Sequence, residues 1–466
     1  MNYTELFQLC GFEPAEIEKE SPRIDVAFQR FGITDEDVRR AVNRVKKYYN
    51  VELKGVRKLL GVWMKELIAI ALARDEHRKV VYAEWPGAGN VLLLGAVRSA
   101  SDVYLGTPVS HSFTIVLGGI FDKLKSILES GEVLGMPPGS AHCGLWQMHV
   151  GAIVNGLIPK PDLIVSSGWL CDQAAEADQV LAELYGIPVV YLNGCQDWQW
   201  DELPELGVRQ IKYLSAKMWR VGRKIEEVTG IKINDDVLRA GLKDMSKTYY
   251  NFQTLVDLMA KADPQPISQS NLDLIYMTVF TPLQNRDQVV EAITTLCSEV
   301  KQLVDEGKGV VSKGAPRVFL ATRPAINPAV WKMVEEVGLA APVCLLDWIP
   351  PSTYDKSKYT DRMEALIAGI YRVSPVCSSS ANIRYDVGIC KNYNVDGAVI
   401  MYPFSCRSYA INPLMIKKAI KDQLGIPAIV IEFGGYDTRE YPAAMLRTRM
   451  ETFAELVRMN KAAKVA

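Results

Sequence analysis

The sequence predicts an α/β protein with two related parallel-sheet domains, a helical N-terminal region, and a helical insert between the sheets. Three observations carry that prediction. Short aliphatic runs alternate with helical segments from about residue 78, the same texture restarts near residue 316, and one cassette of residues occurs in both stretches.

A chain of 466 residues is too long for a single hydrophobic core. We divide it into 1–75 (helical N-terminal region), 76–204 (first α/β domain), 205–315 (helical insert) and 316–466 (second α/β domain). Apolar residues make up 48% and charged residues 23%, an ordinary balance for a soluble globular protein. The formal net charge of -1 argues against nucleic acid or a membrane surface as the main partner, because such polyanions select a basic excess. The N-terminus "MNYTELFQLCGFEPAEIEKE" lacks the basic start and long apolar core of a signal peptide. No run approaches the roughly 18 apolar residues of a spanning helix, so a cytoplasmic location is expected. Nine cysteines in a chain of this length are no disulfide framework, which leaves buried thiols, redox thiols and metal thiolates.

Within the first 75 residues the pattern is amphipathic and helical. "TDEDVRRAVNRVKKYY" opens with Thr34 as a cap and acids in the first turn, then sets Val38, Val42 and Val45 at helical spacing. Arg39, Arg40, Arg44, Lys46 and Lys47 give this segment a cationic side. It is read as a solvated face, with phosphate contact as the alternative. From about 78, "KVVYAEWPGAGN" reads as strand then loop, and "PDLIVSS" as a buried strand. "CDQAAEADQVLAELYG" is a helix closed by glycine, and "IPVVYLNG" is the next strand. Long helical patterns such as "VRQIKYLSAKMWRVGRKIEEVTG" and "DDVLRAGLKDMSKTYYNFQTLVDLMAKA" fill the insert. "PRVFLATRPAINPAVWKMVEEVGLAAPVCLLDW" then restarts strand, loop, helix, strand. This alternation implies βαβ units of a flavodoxin- or Rossmann-like kind.

The cassette runs Cys, Asp, strand, Cys, helix, "GIP". In the first copy Cys143 lies 19 residues before Asp162, which opens "DLIVSSGWLC" ending at Cys171. In the second copy Cys377 lies 19 residues before Asp396, which opens "DGAVIMYPFSC" ending at Cys406. Ligands in open parallel sheets sit beyond the carboxyl ends of the strands. Cys143, Cys171 and Cys406 are each expected at the start of a helix there, where free N–H groups favour a thiolate. Two facing domains would bring such thiolates to one cleft. The chain has no C-x-x-C pair of the zinc-ribbon kind. Widely separated single cysteines suit an iron–sulfur cluster instead, and a scatter of buried thiols is the alternative.

Several segments resemble the benzoyl-CoA reductase and 2-hydroxyacyl-CoA dehydratase family. They are "CGLWQMHVGAIVNGLIPKPDLIVSSGWLCD", "NVDGAVIMYPFSCRSYAINPLMIKKAIKDQLGIPAIVIEFGGYD", "LSAKMWRVGRKIEEVTGIKINDDVLRAGL" and "LRTRMETFAELV". The resemblance covers roughly residues 76 to 460 and, in chain length, looks most like the larger benzoyl-CoA reductase subunit. It implies a [4Fe-4S] cluster on Cys143, Cys171 and Cys406, with Cys377 in reserve. It also implies an acyl-CoA substrate, a related second subunit, and a separate ATP-hydrolysing iron–sulfur activator. No G-x-x-x-x-G-K-[ST] occurs here, which agrees with ATP being used elsewhere.

The activity the resemblance implies is reduction of benzoyl-CoA through a radical anion, with 2-hydroxyacyl-CoA dehydration or a non-catalytic pseudo-subunit as alternatives. His142 and His149 flank Cys143 and are weak candidates for proton donation; a structural role is the plainer reading. Trp146 and Trp169 are candidate walls of an acyl pocket or plain core residues. Arg384, Arg407 and Arg447 are candidate CoA contacts or surface ion-pair partners. Cys10, Cys195, Cys297, Cys344 and Cys390 match no ligand position and are read as buried structural thiols.

Overall fold

The computed structural model describes every residue except 85–88, 99–100, 137–141, 169–170, 194–206, 280, 282–283, 322–326, 345–358, 372–378, 438, 440 and 466. The N-terminal region holds α1 (Thr4–Leu9), α2 (Pro14–Arg30), α3 (Asp35–Tyr48) and α4 (Lys54–Leu72). Helix α3 starts as its sequence requires. Asp37 donates its amide to Thr34 Oγ1 while its carboxylate accepts the Thr34 amide, closing a capping box. Val38, Val42 and Val45 then face inward. Helix α4 is apolar nearly all round and buried along most of its length, so it forms the axis of this region.

Two parallel sheets follow. The first comprises β1 (Lys79–Tyr82), β2 (Val103–Gly106), β3 (Leu163–Ser166) and β4 (Val189–Tyr191), in the order β2-β1-β3-β4. The second comprises β5 (Arg317–Ala321), β6 (Ala340–Cys344), β7 (Gly397–Pro403) and β8 (Ala428–Phe433), in the order β6-β5-β7-β8. The two orders are the same, and in both the strand sequence reverses between the first and third strands, the flavodoxin-like switch point. The cassette aspartates explain part of the likeness. Asp162 donates its amide to the Val80 carbonyl at 2.7 Å and accepts the Val80 amide at 2.7 Å. Asp396 does the same with Arg317, at 2.7 and 2.8 Å. Each aspartate therefore fixes the register of the central strand pair at its start.

Around the first sheet lie α5 (Gly89–Val97), α6 (Lys125–Val133), α7 (Gly144–Val154) and α8 (Asp172–Tyr185), the last closed by Gly186 at φ 65°. The insert holds α9 (Val208–Thr229), α10 (Asp235–Lys261), α11 (Gln269–Val279) and α12 (Arg286–Asp305). The second sheet carries α13 (Ala329–Glu336), α15 (Ser379–Asn392), α16 (Arg407–Ala410), α17 (Pro413–Leu424) and α18 (Ala443–Val465), whereas α14 (Arg362–Tyr371) packs against α9 and joins the apolar cluster of the first sheet.

Three features depart from the sequence pattern. That pattern foretells neither strand β2 nor a π-helix at Pro108–Ile120, where Phe121 donates its amide to Val116 five residues back. The π-helix packs against α3 and α4, so tertiary contacts decide its winding. The single helix expected after Cys406 is two, α16 and α17, because Pro413 has no amide to continue α16 and instead opens α17. A continuous cluster of buried apolar side chains joins α1–α4 to the π-helix, α7 and the insert, which seats the N-terminal region in the body of the molecule. Among the described residues no helix is long and apolar enough to cross a membrane.

Candidate functional site

Cys143, Cys171 and Cys406 occupy the N-cap positions of α7, α8 and α16, all with extended backbone. The structure brings their segments together through the side chain of Gln173. Burial pushes the Cys143 thiol well above its usual range, and the Cys406 thiol adds to the rise. The Leu145 amide and Ser405 hydroxyl oppose it, while Cys171 contributes a smaller upward push. The Cys171 thiol is also raised, by burial first and then by Cys406, against the pull of the Ala174 amide and the Trp146 indole. At Cys143 and Cys171 burial thus works against the thiolate expected at a helix start. Desolvation outweighs the helix terminus, and a positive centre is what would hold these sulfurs ionised.

One side chain ties the three cysteine segments. Gln173, two residues after Cys171, accepts the Cys143 amide at 2.8 Å and donates to the Ser405 carbonyl at 3.2 Å. It is 1% exposed, so both bonds are made away from water. Gly144 lets the second domain approach from the other side. A Cβ there would meet the Tyr436 carbonyl carbon and the Asp437 amide nitrogen at 3.0 Å, and the chain after β8 passes through that gap. Arg439 fastens the same loop, bonding Asp437 and, at 2.5 Å, Glu132 of α6. At the rim, Arg407 pairs with Asp172 and lies 3.4 Å from Glu176, joining α16 to α8.

Behind the cysteines sits a buried ionic group. His149 Nε2 is 3.0 Å from Asp178, and Nδ1 is 3.5 Å from Glu84, a separation of ion-pair rather than hydrogen-bond length. Burial pulls the imidazole pKa down, but the two carboxylates pull it up further, to about 9. Glu84 Oε1 also accepts the Val109 amide at 3.0 Å, which links the end of β1 to the π-helix. Among the described residues no group of three or more His, Cys, Asp and Glu side chains is placed to hold a metal ion.

Residues 115–457 match the model of the family described as 2-hydroxyglutaryl-CoA dehydratase, D-component. The chain belongs to this family. Its relatives are distant. It is 21% identical to the alpha subunit of (R)-2-hydroxyglutaryl-CoA dehydratase of Acidaminococcus fermentans, over 65% of this chain and 62% of that relative. The chain thus spans about three-fifths of the length of that relative. It is 21% identical to the (R)-phenyllactyl-CoA dehydratase alpha subunit of Clostridium sporogenes, over 77% of this chain and 86% of the relative. With a benzoyl-CoA reductase subunit of Thauera aromatica the identity is 23%, over 85% of this chain and 94% of the relative.

The remaining predicted positions of this family member separate clearly. Cys377, Cys195 and Trp169 lie outside the described residues. Trp146 is 1% exposed, with its indole at the Cys171 sulfur, and it packs edge-on to His149 at 6.0 Å. His142 keeps some exposure and lies 4.0 Å from Glu176. Arg447 pairs with Glu336, so with Arg407 it is an ion-pair residue; Arg384 is exposed. Cys10, Cys344 and Cys390 are buried as expected, but Cys297 is only half-buried, its thiol donating to the Asn251 carbonyl at 3.2 Å. Gln173, Ser405, Glu84 and Asp178 escape a reading of the sequence. Each is a common residue type with no local pattern, and its role arises from partners far along the chain.

Proposed function

We propose that this chain is the [4Fe-4S] subunit of an acyl-CoA enzyme of the benzoyl-CoA (aromatic ring) reductase type, driven by a separate ATP-hydrolysing activator. The meeting of the segments of Cys143, Cys171 and Cys406 on Gln173, with each cysteine at a helix start, carries the reading. The donor set fits the group. Widely separated single thiolates, one from each of three loops, are the donors that a four-iron cluster would take. Cys143, Cys171 and Cys406 would hold such a cluster, and it would supply single electrons at low potential for a thioester-conjugated substrate.

The chain's own residues do the rest. Gln173 holds the segments of Cys143 and Cys406 in register, and the buried Trp146 indole covers the Cys171 sulfur. His149 is locked between two carboxylates and acts as a structural cation. His142 Nδ1 has no hydrogen-bond partner among the described residues, and His142 is the candidate for proton exchange with a substrate. A related second subunit completes the pair, as the names of the relatives suggest.

A second reading, 2-hydroxyacyl-CoA dehydration, is favoured by the name of the matching family and by two of the relatives. Stoichiometry separates the two. A ring reductase hydrolyses ATP with every turnover, whereas a dehydratase recycles its electron and needs only occasional activation. Purified without oxygen, the chain should hold about four irons with broad visible absorption. Cys171→Ala should lose most of both, and full iron in that variant would remove the ligand assignment.

A further inference from the structure

Helix α3 bears a cationic groove that the site above does not use. Arg39, Arg40, Asn43, Arg44, Lys47 and Tyr48 line an open cavity of about 330 Å³, with Glu36 as the acid on its wall. Spacings of three and four bring these residues to one helix face, where four like charges repel one another. Elsewhere on the same helix the pattern is ordinary, since Lys46 pairs with Glu5 at 2.5 Å. Arg39 and Lys47 are exposed and make no ion pair among the described residues.

The floor of the groove is fixed in advance. Arg40 donates Nε to the Phe121 carbonyl at 2.9 Å. Its other partner, Asp37, is already engaged by Lys123 and by the Thr34 amide, both at 2.9 Å. Arg44 donates Nε to the Gly119 carbonyl at 3.0 Å and reaches the Asn327 side-chain oxygen at 3.5 Å, with only 13% of its side chain exposed. Asn327 follows β5 and heads α13, so Arg44 touches the carboxyl-end side of the second sheet, where ligands of such sheets lie. Two guanidinium groups held by backbone carbonyls and facing Asp37 and Asp122, with two cations above them outside any ion pair among the described residues, form a pre-organised anion site. Its volume of about 330 Å³ suits a phosphorylated ribose, with the rest of a longer ligand lying outside the groove.

We propose that the α3 groove binds the phosphates of a nucleotide carrier, which under the acyl-CoA reading is the phosphorylated adenosine end of coenzyme A. The proposal rests on that reading for the identity of the carrier, and on the groove alone for its phosphate chemistry. It is tested by calorimetric titration of the full chain with CoA, dephospho-CoA, ADP and inorganic phosphate. Each is compared with Arg39→Ala/Lys47→Ala, whose unchanged melting temperature controls for folding. CoA should bind the double variant about tenfold or more weakly, as expected for losing charge-assisted contacts. Dephospho-CoA should lose less than CoA if the groove holds the 3′-phosphate. CoA binding the variant as well as the parent overturns the proposal. If the parent ignores CoA but binds ADP or phosphate through Arg39 and Lys47, the phosphate site stands and the acyl-CoA reading fails.

Discussion

The two sheet-bearing halves share a frame and differ in what fills it. Setting Val80 on Arg317, Cys143 on Cys377 and Gly186 on Gly425, the places of Glu84, His149 and Asp178 fall to Ala321, Ile383 and Lys417. The first half therefore buries an imidazole between two carboxylates where the second has a small apolar residue, a half-buried isoleucine and an exposed lysine. Strand order and the aspartate bracket are common to both, because backbone hydrogen bonds do not depend on the side chains that vary. The difference teaches that the asymmetry of the site is a matter of side-chain chemistry on an unchanged scaffold. Among the described residues, the first half supplies two of the three cysteines and also Gln173.

The strongest test of that asymmetry is His149→Leu. It leaves Glu84 and Asp178 buried without a counter-charge and should cost about 3–5 kcal/mol in denaturant unfolding. The matched change in the other half, Ile383→Leu, should cost less than about 1.5 kcal/mol. Similar losses in the two would mean that the ionic group does not distinguish the halves.

The same histidine sets a pH dependence. Its folded pKa of about 9 lies above the ordinary value near 6.5. Its contribution to stability is then complete below about pH 6.5 and is lost as the pH rises through about 9. Thermal melts of the parent should show that decline across this window, and His149→Leu should not.

Gln173→Ala is the next test, of the strap that joins the halves. It strands the Cys143 amide and the Ser405 carbonyl, at a cost of about 1–3 kcal/mol, and should speed iron release to a chelator. Stability lost without faster release would confine Gln173 to holding the fold.

The smallest effect sharpens the likeness. Asp162→Ala and Asp396→Ala each remove a carboxylate bond to a strand amide, worth about 1–2 kcal/mol, and the two losses should agree. A clear inequality would show that the brackets, though alike in geometry, carry unequal loads.

Much of this is legible in the residues. Thr34 and Asp37 announce the start of α3, Gly186 and Gly425 the ends of α8 and α17, and the Asp-strand-Cys spacing both sheets. Those signals are local or periodic, so one strand of text contains them. The break after Cys406 is legible too, in Pro413, but the helical pattern around a single proline masks it.

By itself the sequence determined the two-sheet α/β class, the repeat, and which cysteines stand at helix starts, because propensity, capping and spacing act over a few residues. Only the tertiary structure decided that Gln173 links Cys143 to Ser405, that His149 is held by Glu84 and Asp178, and that residues 108–120 wind as a π-helix. Each of these depends on groups from distant segments meeting in a dry interior, where an unmatched amide or charge is costly and the partner is chosen by packing.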